Sequence, residues 1–295
     1  MIQRPGPHAA LIAIALVLSG GACGRWNWTP WRRAPAPAVP TSATTRADDE
    51  PGDGTPRQRM VEFSVMRIDL PIGALARADE IWRSVDEAAV AEPLRGALRA
   101  NGFRVGVGGD AARAPILAIL NRQAGARTKV QRGAPLGDQP MDIVLTDAAR
   151  DVDVFFCDPA GHWAGQTFEA AQPVVRLSFT LPPGDFDTVR VRLEPELRQP
   201  PGPQRIQRLA GVWDWRPEYR GRIFRELAIE ALIPRGGFLM LGPTRDLDGQ
   251  SLLACPFVVE PLDGQSRENL LVVSPVLRWA RLPSPPRPLP GTSGP

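Results

Sequence analysis

The 295-residue chain is 43% hydrophobic and 23% charged, which is enough for a sizeable core, and its 28 glycines and 33 prolines exclude a helical bundle or a long coiled coil. Its three cysteines and two histidines are too few for a disulfide scaffold or a histidine-rich metal site, and we predict no metal and no cofactor. The 35 basic and 32 acidic residues are interspersed and leave a net charge of only +3, so we do not expect a nucleic-acid partner.

Residues 1–22 have the features of an export signal. Arg4 supplies a positive start, residues 9–18 are apolar, and small residues lead up to Cys23. This pattern resembles a bacterial lipoprotein signal, in which the cysteine becomes the lipidated first residue of the mature chain. Cleavage by ordinary signal peptidase and an uncleaved anchor are the alternatives. The resemblance implies an exported protein on the periplasmic face of the outer membrane or elsewhere in the cell envelope.

Two segments lack the large apolar residues that a packed structure requires. Residues 23–59 are rich in proline, alanine and threonine, and residues 283–295 are rich in proline. Such compositions cannot bury enough apolar surface to order the chain. We therefore predict a disordered tether before the folded part of the protein and a disordered tail after it.

Residues 60–135 are predicted to form a small α/β module. Alternating apolar residues indicate strands at 61–65 and 103–107. Apolar spacing of three and four indicates helices at 79–89 and 110–123, and Pro93 is placed to open a further helix. The predicted order is strand, helix, helix, strand, helix.

Residues 136–282 are predicted to form an antiparallel β domain, either a sandwich or a meander. A turn is expected at residues 182–185, and a long proline- and arginine-rich connection at residues 199–222. Strands are expected at residues 152–156, 174–181, 189–193, 227–233, 238–241, 252–259 and 270–273. The whole chain is thus expected to have an α+β fold that is rich in strands.

Three sequences in this region resemble the carboxy-terminal β domain of bacterial secretins. They are TVRVRLEPELR at 188–198, FRELAIEALIPRGGFLMLGP at 224–243 and ENLLVVSPVL at 268–277, within a resemblance that covers residues 174–280. Secretins are multimeric gates of the outer membrane. The resemblance therefore implies homo-oligomeric ring assembly rather than catalysis.

Two motifs are typical of chemistry but also have simpler explanations. Residues 106–111 match the Gly-x-Gly-x-x-Ala form of a dinucleotide fingerprint, but no acidic residue follows at the spacing that a ribose requires. We interpret them as a glycine turn. His162 lies near Asp158 and is the candidate base of a hydrolase, although no Gly-x-Ser-x-Gly elbow is present. The sequence around it favours a hairpin turn.

The remaining candidate residues concern the cysteines and a binding surface. Cys157 and Cys255 form an even pair once Cys23 is lipidated, and they are either bridged or two buried thiols. Aromatic residues interleaved with arginines predict either a surface that binds a carbohydrate or polyanion, or an aromatic loop that covers the edge of a sheet. These residues are Trp213, Trp215, Arg216, Tyr219 and Arg220.

Together these patterns predict a non-catalytic envelope protein that is anchored by lipid and that acts in scaffolding, assembly or binding. Its expected partners are the membrane, through the lipid, and a protein or the cell wall. The alternatives are an exported hydrolase that uses His162 and a wall- or polysaccharide-binding protein that uses Trp213 and Trp215.

Overall fold

The computed structural model describes residues 57–281, apart from residues 76, 136–138, 147, 186, 210–211, 218–219, 245–246, 248 and 263–264. Short 3-10 turns lie at Glu87–Ala89 and Arg225–Leu227. The helices are α1 (Asp79–Arg83), α2 (Leu94–Ala100), α3 (Asp110–Asn121) and α4 (Cys255–Val258). The strands are β1 (Arg57–Pro71), β2 (Phe103–Gly108), β3 (Arg127–Gly133), β4 (Met141–Val144), β5 (Arg150–Cys157), β6 (Trp163–Thr180), β7 (Thr188–Arg198), β8 (Gln204–Leu209), β9 (Val212–Pro217), β10 (Gly221–Ile223), β11 (Ile229–Pro234), β12 (Phe238–Pro243), β13 (Val259–Leu262) and β14 (Gln265–Arg281).

The first antiparallel sheet, sheet 1, has the order β2-β12-β14-β1-β3, and β13 pairs with the start of β14. Its centre is the long pair of β1 and β14, which runs from Arg57 opposite Arg281 to Pro71 opposite Arg267. The first and last described residues therefore lie side by side at one end of the domain.

The second antiparallel sheet, sheet 2, is built around β6 and β7. Strands β10 and β11 pair with one edge of β7, while β4 and β5 pair with one edge of β6. Ala170 in the middle of β6 has a positive φ of 46°, and the ladder between β5 and β6 shifts register beside it. Such an irregularity bends a strand. The first part of β6 and β5 thus form a ribbon that extends from the main body of sheet 2.

The two sheets pack face to face around one hydrophobic core. Alternate residues point inward from each strand, because successive side chains of a strand face opposite sides. Phe63 of β1 and Phe179 of β6 meet across the core with ring centroids 5.5 Å apart. Other buried members from the two sheets are Val61, Val65, Val105, Leu239, Leu241, Val273, Val175, Leu177, Val191, Leu193, Ile229 and Ile233.

Helices cover the other face of sheet 1. Residues of β1 that alternate with the core-facing ones, such as Ile68 and Leu70, pack against Ile81 and Trp82 of α1. Residues Ile116 and Leu120 of α3 join the same cluster, four positions apart on one helix face. The fold is therefore a layer of helices on a two-sheet sandwich, an α+β architecture rich in antiparallel strands, as predicted.

The order of strand, two helices, strand and helix over residues 57–121 also agrees with the prediction. However, β1, β2 and β3 pair in sheet 1 with β12 and β14. Residues 60–135 and 136–282, which were expected as two modules, thus share a sheet and a core. Strands β1 and β14 of this sheet are about two hundred residues apart in the sequence, and a local pattern cannot predict which distant strands will pair.

Two local predictions are corrected. The strand expected at residues 252–259 is instead a loop followed by helix α4, in which Pro256 occupies the first turn, where its missing N–H costs no hydrogen bond. The connection at residues 199–222 contains the hairpin β8–β9 and strand β10. No helix in the described part of the chain is long and apolar enough to cross a membrane.

Candidate functional site

His162 lies in the turn between β5 and β6, as predicted. The backbone N–H of Asp158 donates to the carbonyl of His162 at 3.0 Å and closes the turn. The Asp158 carboxylate accepts the N–H groups of Ala160 and His162, each at 2.9 Å, and its other oxygen lies 3.1 Å from His162 Nδ1. These bonds, led by the one from the His162 backbone, hold the pKa of Asp158 below its ordinary value. The carboxylate thus orders the turn, and the imidazole is 81% exposed.

The glycine motif is explained by packing. It follows strand β2 and opens helix α3, but β2 runs antiparallel to its neighbour β12, unlike the first strand of a dinucleotide-binding unit. A methyl group on Gly106 would lie 3.1 Å from Val85 Cβ and closer still to its Cγ2. A methyl group on Gly108 would lie within 2.7 Å of Phe238 ring atoms. The two glycines let neighbouring side chains approach the strand.

Cys157 and Cys255 are not bridged to each other in the structure. Asn101 lies between the two segments. Its side chain donates to the Cys157 carbonyl at 2.6 Å and accepts the Cys157 N–H at 2.8 Å, while its carbonyl accepts the N–H of Ala254 at 3.0 Å. The two cysteine-bearing segments are thus joined through hydrogen bonds to a buried asparagine, which takes the place of a covalent bridge.

The predicted aromatic–arginine surface falls mostly on strand β9. Trp213 is paired with Arg208 and Trp215 with Ile206 in the β8–β9 hairpin, and Arg216 follows on the same strand. Arg220 is exposed, and its carbonyl accepts the N–H of Gln199 at 3.0 Å. Tyr219 and the predicted lipidation site Cys23 lie outside the described residues. A ligand role for this group stays a prediction.

The structure brings together a different aromatic surface on the ribbon of β5 and residues 163–169 of β6, here called the β5–β6 ribbon. Phe155 is 55% exposed and Trp163 is 56% exposed. Phe155 is paired with Gly165, and Trp163 with Cys157, two positions along. Directly opposed residues share a face of an antiparallel pair, so the two aromatic side chains are diagonal neighbours on the outer face. Neither residue stands out in the sequence, where Phe155 falls within the strand predicted at residues 152–156 and Trp163 follows the turn expected around His162.

Acidic side chains continue this outer face. Asp153, paired with Thr167, accepts its hydroxyl at 2.6 Å. Asp151, two residues earlier, accepts the N–H of Ala170 at 2.8 Å. Residues 151–169 contain four acidic residues and, apart from His162, no basic residue, whereas the whole chain has a net charge of +3. This local charge is a signal in the sequence that could have singled out the ribbon.

A second polar cluster closes one end of the space between the sheets. Arg67 and Asp69 occupy inward-facing positions of β1, beyond the apolar ones. Arg67 lies 3.0 Å from Asp69 and 3.1 Å from Glu260, and Lys129 lies 3.7 Å from Asp69, whose side chain is only 1% exposed. Arg67 also donates to the Leu145 carbonyl, just past β4. These contacts join the two sheets, and a structural role accounts for the cluster because its buried charges are paired.

No family model, no curated protein and no solved structure matches this chain. Within the described residues, no three histidine, cysteine or acidic side chains are arranged to hold a metal ion. The outer face of the β5–β6 ribbon, with exposed aromatic rings beside oriented carboxylates, is therefore the candidate functional site.

Proposed function

We propose that this protein is a non-catalytic component of the cell envelope, in which a lipid on Cys23 tethers a binding domain to a membrane. The observation that carries the proposal is the pairing of Arg57 with Arg281 at one end of sheet 1. Because residue 57 is the connection to the leader and the tether, the attachment lies at this end of the domain. The rest of the surface is left for a partner.

The candidate site lies far from that end along the sheet. Arg59 donates to the carbonyl of Asp185 at 3.2 Å, in the turn that follows the last residue of β6. The first residue of β6 is Trp163, at the other end of an 18-residue strand. A straight strand of that length would span about 56 Å, and the bend at Ala170 leaves its two ends closer together than that. The aromatic face is thus presented away from the point of attachment, which suits a tethered binding domain.

Fractionation of cells that express the full chain tests the anchor. The wild type is expected in the membrane fraction and should incorporate a radiolabelled fatty acid, whereas Cys23→Ala should do neither. The matched control is Cys255→Ala, which leaves the leader intact and should behave as wild type. An unlabelled wild-type chain, or a Cys23→Ala variant that still carries the label, would refute lipid anchoring.

An exported hydrolase that depends on His162 is the alternative. In a triad, an acid orients the histidine and leaves it free to take a proton from a nucleophile. In this turn, Asp158 lies 3.1 Å from His162 Nδ1, as an orienting acid would, but the imidazole is exposed and no serine, threonine or cysteine among the described residues hydrogen-bonds to it. His162→Ala is therefore expected to leave the phenotype of a deletion-complementation assay unchanged. A loss of complementation by a folded His162→Ala chain would favour the enzyme.

A further inference from the structure

We propose that the outer face of the β5–β6 ribbon binds a cationic peptide segment, whose lysine or arginine side chains stack on Trp163 and Phe155 and pair with the carboxylates of Asp151 and Asp153. This inference rests on the proposed role as a tethered binding domain and names the class of partner.

The aromatic rings form a platform that a long cationic side chain can cover. Phe155 lies over Gly165, since a methyl group on that glycine would be 2.9 Å from Phe155 Cε1. The ring therefore extends across the ribbon, and its outward side remains in contact with solvent. Trp163, diagonal to it, is the side chain on which a guanidinium or ammonium group stacks most favourably. Diagonal neighbours on one face of an antiparallel pair lie about 7–8 Å apart, close to the ~6.6 Å between alternate side chains of an extended segment, so one such segment could place a side chain on each ring.

The charge of the ribbon selects a cation over a neutral ligand. Asp151 and Asp153 each use one oxygen in a bond within the ribbon, to the Ala170 N–H and the Thr167 hydroxyl. Their second oxygens have no hydrogen-bond partner among the residues that the structure describes. These carboxylates are oriented in advance, and Asp158 in the adjoining turn is kept ionised by the backbone bonds that lower its pKa. Further arginine or lysine side chains of the same extended peptide, beside Asp153 and Asp151 rather than over the rings, would donate to these second oxygens.

Titration of the full chain in mild detergent with an oligo-arginine peptide tests the proposal. The peptide is expected to bind, to change the tryptophan fluorescence, and to lose affinity as the ionic strength is raised. An oligo-glutamine peptide of the same length is the neutral control and should not bind. Equal affinity for the two peptides, or a preference for a neutral oligosaccharide, would overturn the inference.

Matched variants locate the site. Trp163→Ala and Phe155→Ala should each weaken oligo-arginine binding roughly two- to fivefold, the range for exposed cation–π pairs. Trp279→Ala removes an aromatic side chain of similar exposure, 47%, on β14 and should leave the affinity unchanged. A loss of affinity equal to that of Trp163→Ala would mean that the peptide is held elsewhere or without specificity.

The carboxylates are tested in the same way. The double variant Asp151→Asn/Asp153→Asn should weaken binding more than either aromatic variant and should flatten the dependence on ionic strength. Asp110→Asn/Asp187→Asn, which removes two exposed carboxylates outside the ribbon, is the control for net charge. Thermal unfolding checks that every variant is folded. The titration needs no membrane, so the two proposals fail separately. A chain that does not bind the peptide would refute the binding site but not the lipid anchor. A chain whose Cys23 is not labelled would refute the lipid anchor but not the binding site.

Discussion

Two adjacent glycines, Gly108 and Gly109, offer a sharp test of how the glycine motif is used. Gly108 lies at the end of β2, directly opposite Phe238 of β12, a ring that is almost fully buried under the helix layer. A Cβ atom on Gly108 would lie 2.7 Å from both Cε atoms of that ring and closer still to Cζ. A Cβ atom on Gly109 would have nothing within 4 Å, and the backbone there has a φ of −82°, which any residue adopts.

The two Gly→Ala changes should therefore differ greatly in cost. To accept Gly108→Ala, the Phe238 ring must retreat by roughly 1 Å into a packed cluster where Arg113 lies 5.0 Å from its centroid. Overpacking of this kind costs about 1–3 kcal/mol. For a domain of this size the melting temperature should fall by roughly 2–12 °C. Gly109→Ala should change the free energy of unfolding by less than about 1 kcal/mol, because alanine restricts the unfolded chain but is a poorer N-cap for α3 than glycine.

Urea and thermal unfolding of the two single variants measure this difference. The double variant Gly108→Ala/Phe238→Leu, measured beside Phe238→Leu alone, supplies the decisive comparison, since the shorter side chain removes the clash. The costs of the two changes should then be less than additive by about 1 kcal/mol or more. Equal stabilities for Gly108→Ala and Gly109→Ala, or strictly additive costs, would refute the packing explanation of the motif.

Three further changes probe polar side chains with defined partners. Glu268 is fully buried, and its carboxylate accepts two backbone N–H groups of the loop before α1 at 2.7 and 2.8 Å. Glu268→Gln replaces one of these acceptor oxygens with a donor NH₂ group. It should lower the free energy of unfolding, measured in urea, by about 1–3 kcal/mol. Asn101→Ala leaves the N–H and carbonyl of Cys157 without their partner and should cost about 2 kcal/mol or more by the same assay, with Asn101→Asp retaining only the accepted bond. Burial raises the pKa of Glu87, but hydrogen bonds from Arg104 and a second arginine outweigh it and hold the pKa below the ordinary 4.5. The ionised Glu87 carboxylate therefore stabilises the fold above pH 4.5, and this stabilisation is lost as the pH falls through the pKa of Glu87 in the folded state. On acidification, the free energy of unfolding of the wild type should fall by up to about 1 kcal/mol more than that of Glu87→Gln. Parallel curves of stability against pH for the two proteins would contradict this assignment.

Much of the secondary structure follows from local patterns alone. Alternating apolar residues predicted β1, β2, β5 and the main strands of sheet 2, and the turn at His162 was expected from its glycine and proline neighbours. Such predictions succeed because strand and helix periods are properties of the backbone, which a short window of sequence contains. The prediction of a strand at residues 252–259 was wrong because the four residues of α4 are too few for a periodic pattern to distinguish a helical turn from a strand.

Only the tertiary structure decided what each face touches. Phe238 and Phe155 are both phenylalanines packed over a glycine of the neighbouring strand, yet one is 1% and the other 55% exposed. Helix α3 packs over Phe238 in the first pair, whereas the Phe155 ring of the second pair keeps more than half of its surface in contact with solvent. Likewise, the period of β1 places Arg67 on the inward face, but its partner Glu260 is 193 residues away. The sequence alone thus determined β1, β2, β5, the main strands of sheet 2, the helices between residues 79 and 121 and the charge of the ribbon. Contacts between distant segments decided which faces are buried, which charges are paired and which aromatic surface is left open to a partner.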